Sequence, residues 1–172
     1  MKEDKTFIST ARPYEILTSF KDVFTEFGFP FQEDADENFL SIYAGLHYPD
    51  HGNLKVILRV AIDLYCEAVQ ISFEYFHPIP EEKMPQVNQL MGIMNCWSIT
   101  GHLYTYTSQN QLCYLSGILI RDSGFNKDEF EKVLQVVLGT GRECFSLIKK
   151  VIDTEEDPNP LLGKLFTKMF GA

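Results

Sequence analysis

Residues 54–76, LKVILRVAIDLYCEAVQISFEYF, form the longest apolar passage of the chain, and their reading decides the fold. The passage is long enough to cross a bilayer, yet Lys55, Arg59, Asp63, Glu67 and Glu74 are spread through it. Each charge held at bilayer depth costs about 2.5 kcal/mol or more, which argues against a membrane span. From Leu54 the even positions read Leu, Val, Leu, Val, Ile, Leu as far as Leu64, while Lys55, Arg59 and Asp63 stand on odd ones. That two-residue period belongs to a strand with one buried face. The alternation resumes with Val69, Ile71, Phe73 and Tyr75 against Gln70, Ser72 and Glu74. The passage therefore predicts two antiparallel strands with a short turn near Cys66 and Glu67.

Upstream, 13–27 places Ile16, Leu17, Phe20, Val23, Phe24 and Phe27 at helical spacing, and Gly28 follows where a left-handed terminating residue is expected. A strand is expected at 39–46, entered through the acidic loop EDADEN and left through HYPDHGN, whose Pro49 and Gly52 suit a turn. Downstream, Pro80 and Pro85 suit a helix's first turn, and Val87, Leu90, Met91, Met94 and Trp97 form an apolar stripe, so a second helix ends near Cys96. HLYTYTS and QLCYLSGILI predict a hairpin turning at Gln109 and Asn110.

The last long helix opens at FNKDEF. Asn126 is its N-cap, Glu129 takes the capping-box position, and Phe125 is placed to staple onto Phe130. Its apolar face runs through Leu134, Val137, Gly141, Cys144, Phe145, Ile148 and Val151 to about Ile152. Interior glycines at 139 and 141 each cost about 1 kcal/mol against alanine, so either another element packs closely there or the helix bends. An acidic, proline-bearing linker at 153–160 separates this domain, 1–152, from an amphipathic tail at 161–172.

At 172 residues and 45% hydrophobic content the chain can bury one sizeable core. Fifteen Lys and Arg against 24 Asp and Glu give a net charge of −9. With no basic cluster, nucleic acid is excluded as a partner. Cys66, Cys96, Cys113 and Cys144 are widely spaced without a CxxC pair, and the N-terminus lacks the apolar core of a signal peptide, which together point to free thiols in the cytoplasm.

The element order is helix, three strands, helix, two strands, helix: an α+β domain with helices on an antiparallel sheet, followed by a short C-terminal helix. This order, together with VNQLMGIMN at 87–95, LYTYTSQNQLCYLSGILI at 103–120 and the capped amphipathic helix after them, resembles the type III secretion chaperone-like fold. Within that fold it is similar to the YbjN-like family of small bacterial proteins described as sensory transduction regulators. The resemblance covers about 13–152 as topology and implies a non-enzymatic protein, chaperone-like or regulatory, that works through protein contacts as a dimer. It carries over no catalytic residue. Asn88 and Asn95 match the family's pattern, and the simplest role for each is a side-chain amide bond to a nearby loop or helix end.

No motif supplies chemistry. DADEN begins like a calcium loop but has Phe39 where glycine is required and Gly45 where the closing glutamate belongs. His47 and His51 lack a third ligand in sequence, and GTGR at 139–142 lacks the third glycine of a dinucleotide loop. No cofactor, metal or catalytic set is expected.

Two apolar surfaces remain. Ile57, Ala61 and Tyr65 oppose the buried row, and Tyr104 and Tyr106 alternate along the fourth strand, so the sheet carries apolar side chains on a second face. Leu162, Leu165, Phe166 and Met169 line one side of the tail. The expected protein-binding residues are therefore Ile57, Tyr65, Tyr104, Tyr106, Leu162, Leu165, Phe166 and Met169, facing a protein partner, with a homodimer also expected and no integral membrane association. The alternative is a small-molecule sensor with a pocket between helices and sheet near Met91, Met94 and Trp97.

Overall fold

The structure is a computed structural model that describes residues 11–35, 39–64, 68–98, 100–106, 110–120 and 125–154, with Pro160, Gly163 and Thr167 beyond them; of Ala11 and Trp97 it describes the backbone alone. In chain order the elements are α1 (Ala11–Glu26), β1 (Gln32–Ala35), β2 (Phe39–Tyr48), β3 (Leu54–Asp63), β4 (Ala68–Tyr75), α2 (Met84–Trp97), β5 (His102–Tyr106), β6 (Gln111–Leu119) and α3 (Lys127–Asp153). The strands form one sheet in the order β1-β2-β3-β4-β6-β5, every neighbouring pair antiparallel.

The apolar passage at 54–76 is the centre of this sheet. Its two strands pair from Val56 opposite Tyr75 to Asp63 opposite Ala68. Leu54, Val56, Leu58, Val60 and Ile62 are each at most 2% exposed, and with Val69, Ile71 and Phe73 they form the floor on which the helices pack. A one-residue slip would turn that whole row outward, so burial fixes the register.

The helices end where local chemistry ends them. At the close of α1, Gly28 adopts φ 70°, which lets its N–H donate to the Thr25 carbonyl (3.0 Å) and the Phe29 N–H donate to that of Phe24 (2.8 Å). The Phe24 and Phe29 rings then meet edge to face at 5.8 Å, the apolar contact that accompanies this type of cap. At the start of α3 the Glu129 N–H donates to Asn126 Oδ1 (3.1 Å), and Phe125 packs on Phe130 with ring centres 5.6 Å apart, as the capping pattern predicts.

Gly141 lies where α3 crosses the sheet. A Cβ there would stand 2.6 Å from the Phe73 ring, so the missing side chain is what lets helix and strand approach. Close packing is therefore the reason for this glycine, whereas a Cβ at Gly139 would meet nothing within 4 Å.

The sequence order holds with one addition. The acidic segment read as a loop contains an edge strand: Gln32–Ala35 pairs with Leu40–Tyr43. All four of its residues are exposed, so no apolar alternation marks it, and the ladder to β2 holds it extended, with Lys21 paired to Glu33 at 2.8 Å and the Tyr43 hydroxyl donating to Gln32 Oε1 at 2.6 Å.

At the other edge, the Asn95 side chain of α2 acts on the β5 backbone. Its Nδ2 donates to the Leu103 carbonyl (2.8 Å) and its Oδ1 accepts from the Leu103 N–H (2.7 Å). One amide side chain thus occupies both outward-facing groups of that residue, as a further strand would. This is the local role expected for Asn95; Asn88, two turns earlier on α2, is exposed.

The connection from α2 into β5 is held from beneath by Tyr114, whose hydroxyl lies 3.2 Å from Ser98 Oγ and 2.9 Å from Thr100 Oγ1, while Ser116 Oγ donates to the Thr100 carbonyl. Gly101 fits there because a Cβ would press on the Tyr114 ring at 2.9 Å.

At the far end of α3, Lys83 Nζ donates to the Thr154 carbonyl (2.8 Å). The linker at 155–159 and the tail residues Leu162, Leu165, Phe166 and Met169 lie outside the described residues. No helix among the described residues is long and apolar enough to cross a membrane.

Candidate functional site

Alternation along each strand sends one set of side chains to the helices and the other to the opposite, open face. The register composes that open face row by row. One row runs Gly45, Ile57, Glu74, Cys113, Tyr104 from β2 to β5, and the next runs Tyr43, Arg59, Ser72, Leu115, His102. A third begins with Asp34 on β1 and continues through Ser41, Ala61, Gln70 and Gly117.

These rows enclose a trough of about 400 Å³ lined by Asp34, Phe39, Arg59, Gln70, Glu74, Tyr104, Tyr106 and Leu115 over the small residues Ser41, Ala61 and Ser72. Those small residues are 4%, 7% and 8% exposed although none of the described helices covers them. Short side chains therefore make the floor, and long ones standing beside them make the walls.

Arg59 stands in the middle. Its guanidinium lies 3.5 Å from Asp34 Oδ2 and 3.8 Å from Glu74 Oε1, and sits over the Tyr43 ring at 5.3 Å. Glu74 also accepts from Ser72 Oγ (3.1 Å). Both ion pairs exceed the roughly 2.7–2.9 Å of a tight charge-assisted bond, so one cation is shared loosely by two carboxylates.

The β5 wall is aromatic. Tyr104 and Tyr106 have ring centres 5.0 Å apart at 72°, and the Tyr104 hydroxyl donates to that of Tyr106 (2.8 Å). Burial, then bonding with Cys113 and Tyr106, pushes the Tyr104 phenol well above its ordinary pKa. Beneath it Cys113 is wholly buried, and burial pushes its thiol up to about 12. Neither group ionises near neutrality, so this wall presents neutral donors and ring faces.

Of the binding residues expected from sequence, the structure brings Tyr104 and Tyr106 into the trough and puts Ile57, half-buried, in the row beside it. Tyr65 lies outside the described residues, as do the tail positions. Sequence reading missed Asp34, Arg59 and Glu74 as a group. The two-residue period put Arg59 and Glu74 outward, but only the strand order carries Asp34 and Tyr104, seventy residues apart in sequence, to the same trough.

No protein-family model matches the chain. No curated protein matches it in sequence. Among solved structures, it is similar to an uncharacterized protein from Methanothermobacter thermautotrophicus, with TM-score 0.53 and 15% identity over 81% of this chain and 99% of that one. It is also similar to YbjN from E. coli (TM-score 0.47, 14% identity, 78% of this chain and 89% of that chain). A third is the ExsC–ExsE complex (TM-score 0.45, 14% identity, 74% and 88%). At 15% identity the likeness to the Methanothermobacter protein is one of fold alone.

His51 Nδ1 lies 3.0 Å from Ser146 Oγ beside a cavity of about 380 Å³ that also includes Lys149 and Asp153. Ser146 sits mid-helix in α3, where the neighbouring backbone N–H groups are already spent on helix bonds and cannot steady a developing oxyanion. This pair ties the turn after β2 to α3. Between α1 and the sheet, a space of about 20 Å³ lined by Pro13, Ile16, Ile62 and Leu64 has room for about one water and no ligand. Met91 and Met94, expected to line a sensing pocket, are 7% and 6% exposed and belong to the core; the Trp97 side chain lies outside the described residues.

Proposed function

We propose that the chain is a non-enzymatic protein-binding module, chaperone-like or regulatory, that docks a partner on the open face of its sheet. The observation that carries this reading is the trough itself: a recess of about 400 Å³ whose aromatic wall and small-residue floor face away from every described helix. Aromatic side chains that keep a polar tip are what interface centres use. The neutral state of the Tyr104 and Cys113 groups also favours contact over proton transfer, because neither offers a nucleophile or base near neutral pH.

The experiment is affinity capture with three proteins: the wild type, Ala61→Glu, and the double variant Tyr104→Glu with Tyr106→Glu. All three are first matched for fold by circular dichroism and thermal melting. A partner retained by the wild type and lost by both variants supports the reading; equal retention by all three rejects the open face. A second copy of the chain is the competing occupant. Sedimentation equilibrium of the same proteins identifies it, since the charged variants would then convert a dimer into monomers.

One observation favours small-molecule sensing as a second reading. The trough's volume falls within the ~300–1,000 Å³ range of ligand pockets, though it opens on the far side of the sheet and not beneath the helices. A metabolite that raises the melting temperature of the wild type, and not of Ala61→Glu, would select it.

A further inference from the structure

The trough has two carboxylates, Asp34 and Glu74, and one guanidinium, Arg59, held at 3.5 and 3.8 Å from them. Across the whole described open face the charges are Asp34, Asp63 and Glu74 against Lys55 and Arg59, so the surface repeats in small the acidic balance of the chain. An acidic or phosphorylated partner would meet repulsion, whereas one added cation would even the count.

Glu74 is where that cation gains most. Its side chain is 15% exposed, and a carboxylate this far from water is stabilised by a close, well-bonded counter-charge. On the row that carries Glu74 stands Tyr104, and Tyr106 meets it at 72°, two ring faces already fixed by their shared hydroxyl bond. Ring faces attract Lys and Arg side chains. The opposite wall shows the same chemistry at work, with Arg59 seated over Tyr43 at 5.3 Å. Tyr106 is 42% exposed, so half of this corner is open to an incoming group.

The recess is also too wide for a lone side chain. Asp34 on β1 and Tyr104 on β5 both line it from opposite edge strands, five strand spacings or about 24 Å apart along the sheet. An extended segment of about seven residues covers that distance.

We infer that the trough receives a basic segment of a partner protein, with one Lys or Arg side chain seated against the Tyr104 and Tyr106 rings and paired to Glu74. This rests on the docking reading above and names the partner's chemistry.

The test is selection of a random peptide library on immobilised full-length protein, followed by titration of individual winners. The expected winners carry Lys or Arg beside apolar residues. Their affinity falls about tenfold in Glu74→Gln and again in Tyr104→Leu, and weakens with added salt. Both variants are checked for unchanged melting, and Glu74→Asp, which keeps the charge, should recover part of the loss. Winners without a basic residue that still fail to bind Ala61→Glu would overturn this inference and leave the docking reading standing. Basic winners indifferent to Glu74→Gln and Tyr104→Leu overturn it as well, and so does competition by free spermidine as strong as by the peptides. A library that yields no binder overturns the inference, while affinity capture decides the docking reading separately.

Discussion

The two faces of the same strands behave as different materials. On β3 the residues at 54, 56, 58, 60 and 62 are sealed under α1 and α3, while Lys55, Ile57, Arg59, Ala61 and Asp63 between them form a surface of mixed charge and polarity. The backbone is common to both, so the contrast comes wholly from the side chains and from which face the helices cover. It teaches that stability and recognition are separated here by one step of alternation. Substitutions one residue apart should act on different properties.

The sharpest way to probe the contrast is through the thiols, because one lies on each side. Cys144 on α3 and Cys113 on the open face are both pushed up to about 12 from 9.0, each chiefly by burial. A raised thiol pKa favours the folded state below the ordinary value and is lost as pH rises toward the folded one. Between about 9 and 12 the unfolded chain ionises its thiols while the fold keeps them protonated. Stability should therefore fall in that window by about 1.4 kcal/mol per pH unit for each thiol, the largest effect expected. Denaturant titrations on either side of that window measure it, and Cys113→Ser and Cys144→Ser should flatten the slope by similar amounts. A slope left unchanged by Cys113→Ser would show that the open-face floor is wetter than its burial indicates.

Next come paired truncations. Phe73→Ala empties the covered face beneath Gly141 and should cost about 3–5 kcal/mol in chemical unfolding. Arg59→Ala on the open face should change stability by no more than about 1 kcal/mol, since its ion pairs are loose and partly exposed, while altering partner binding. Equal costs would erase the distinction between the faces.

Between these two lies Asn95→Leu. It removes both bonds to Leu103 and leaves a backbone donor and acceptor without them, for about 1–3 kcal/mol. Light scattering should also show association that grows with protein concentration, because the β5 edge is uncovered.

Much of the architecture was legible because its causes are local or periodic. The hairpin at 54–76 follows from alternation, the start of α3 from Asn126 and Phe125, and the end of α1 from Gly28. What could not be read depended on partners distant in sequence. Gln32–Ala35 has no apolar pattern and becomes a strand only because β2 is beside it. The trough was half legible in the same sense. Tyr104, Tyr106 and Ile57 announced themselves by type, but the loose triad of Asp34, Arg59 and Glu74 exists only once β1, β3 and β4 are placed in order. A charge at an odd position says that it points outward; it does not say whom it meets.

The clasp of Asn95 on Leu103 also limits how copies of the chain can join. A ribbon barred at one border by its own side chain can recruit a second ribbon only along the border formed by β1. Two such molecules meeting there would each turn the barred side outward, and the assembly would stop at a pair instead of lengthening into a fibre.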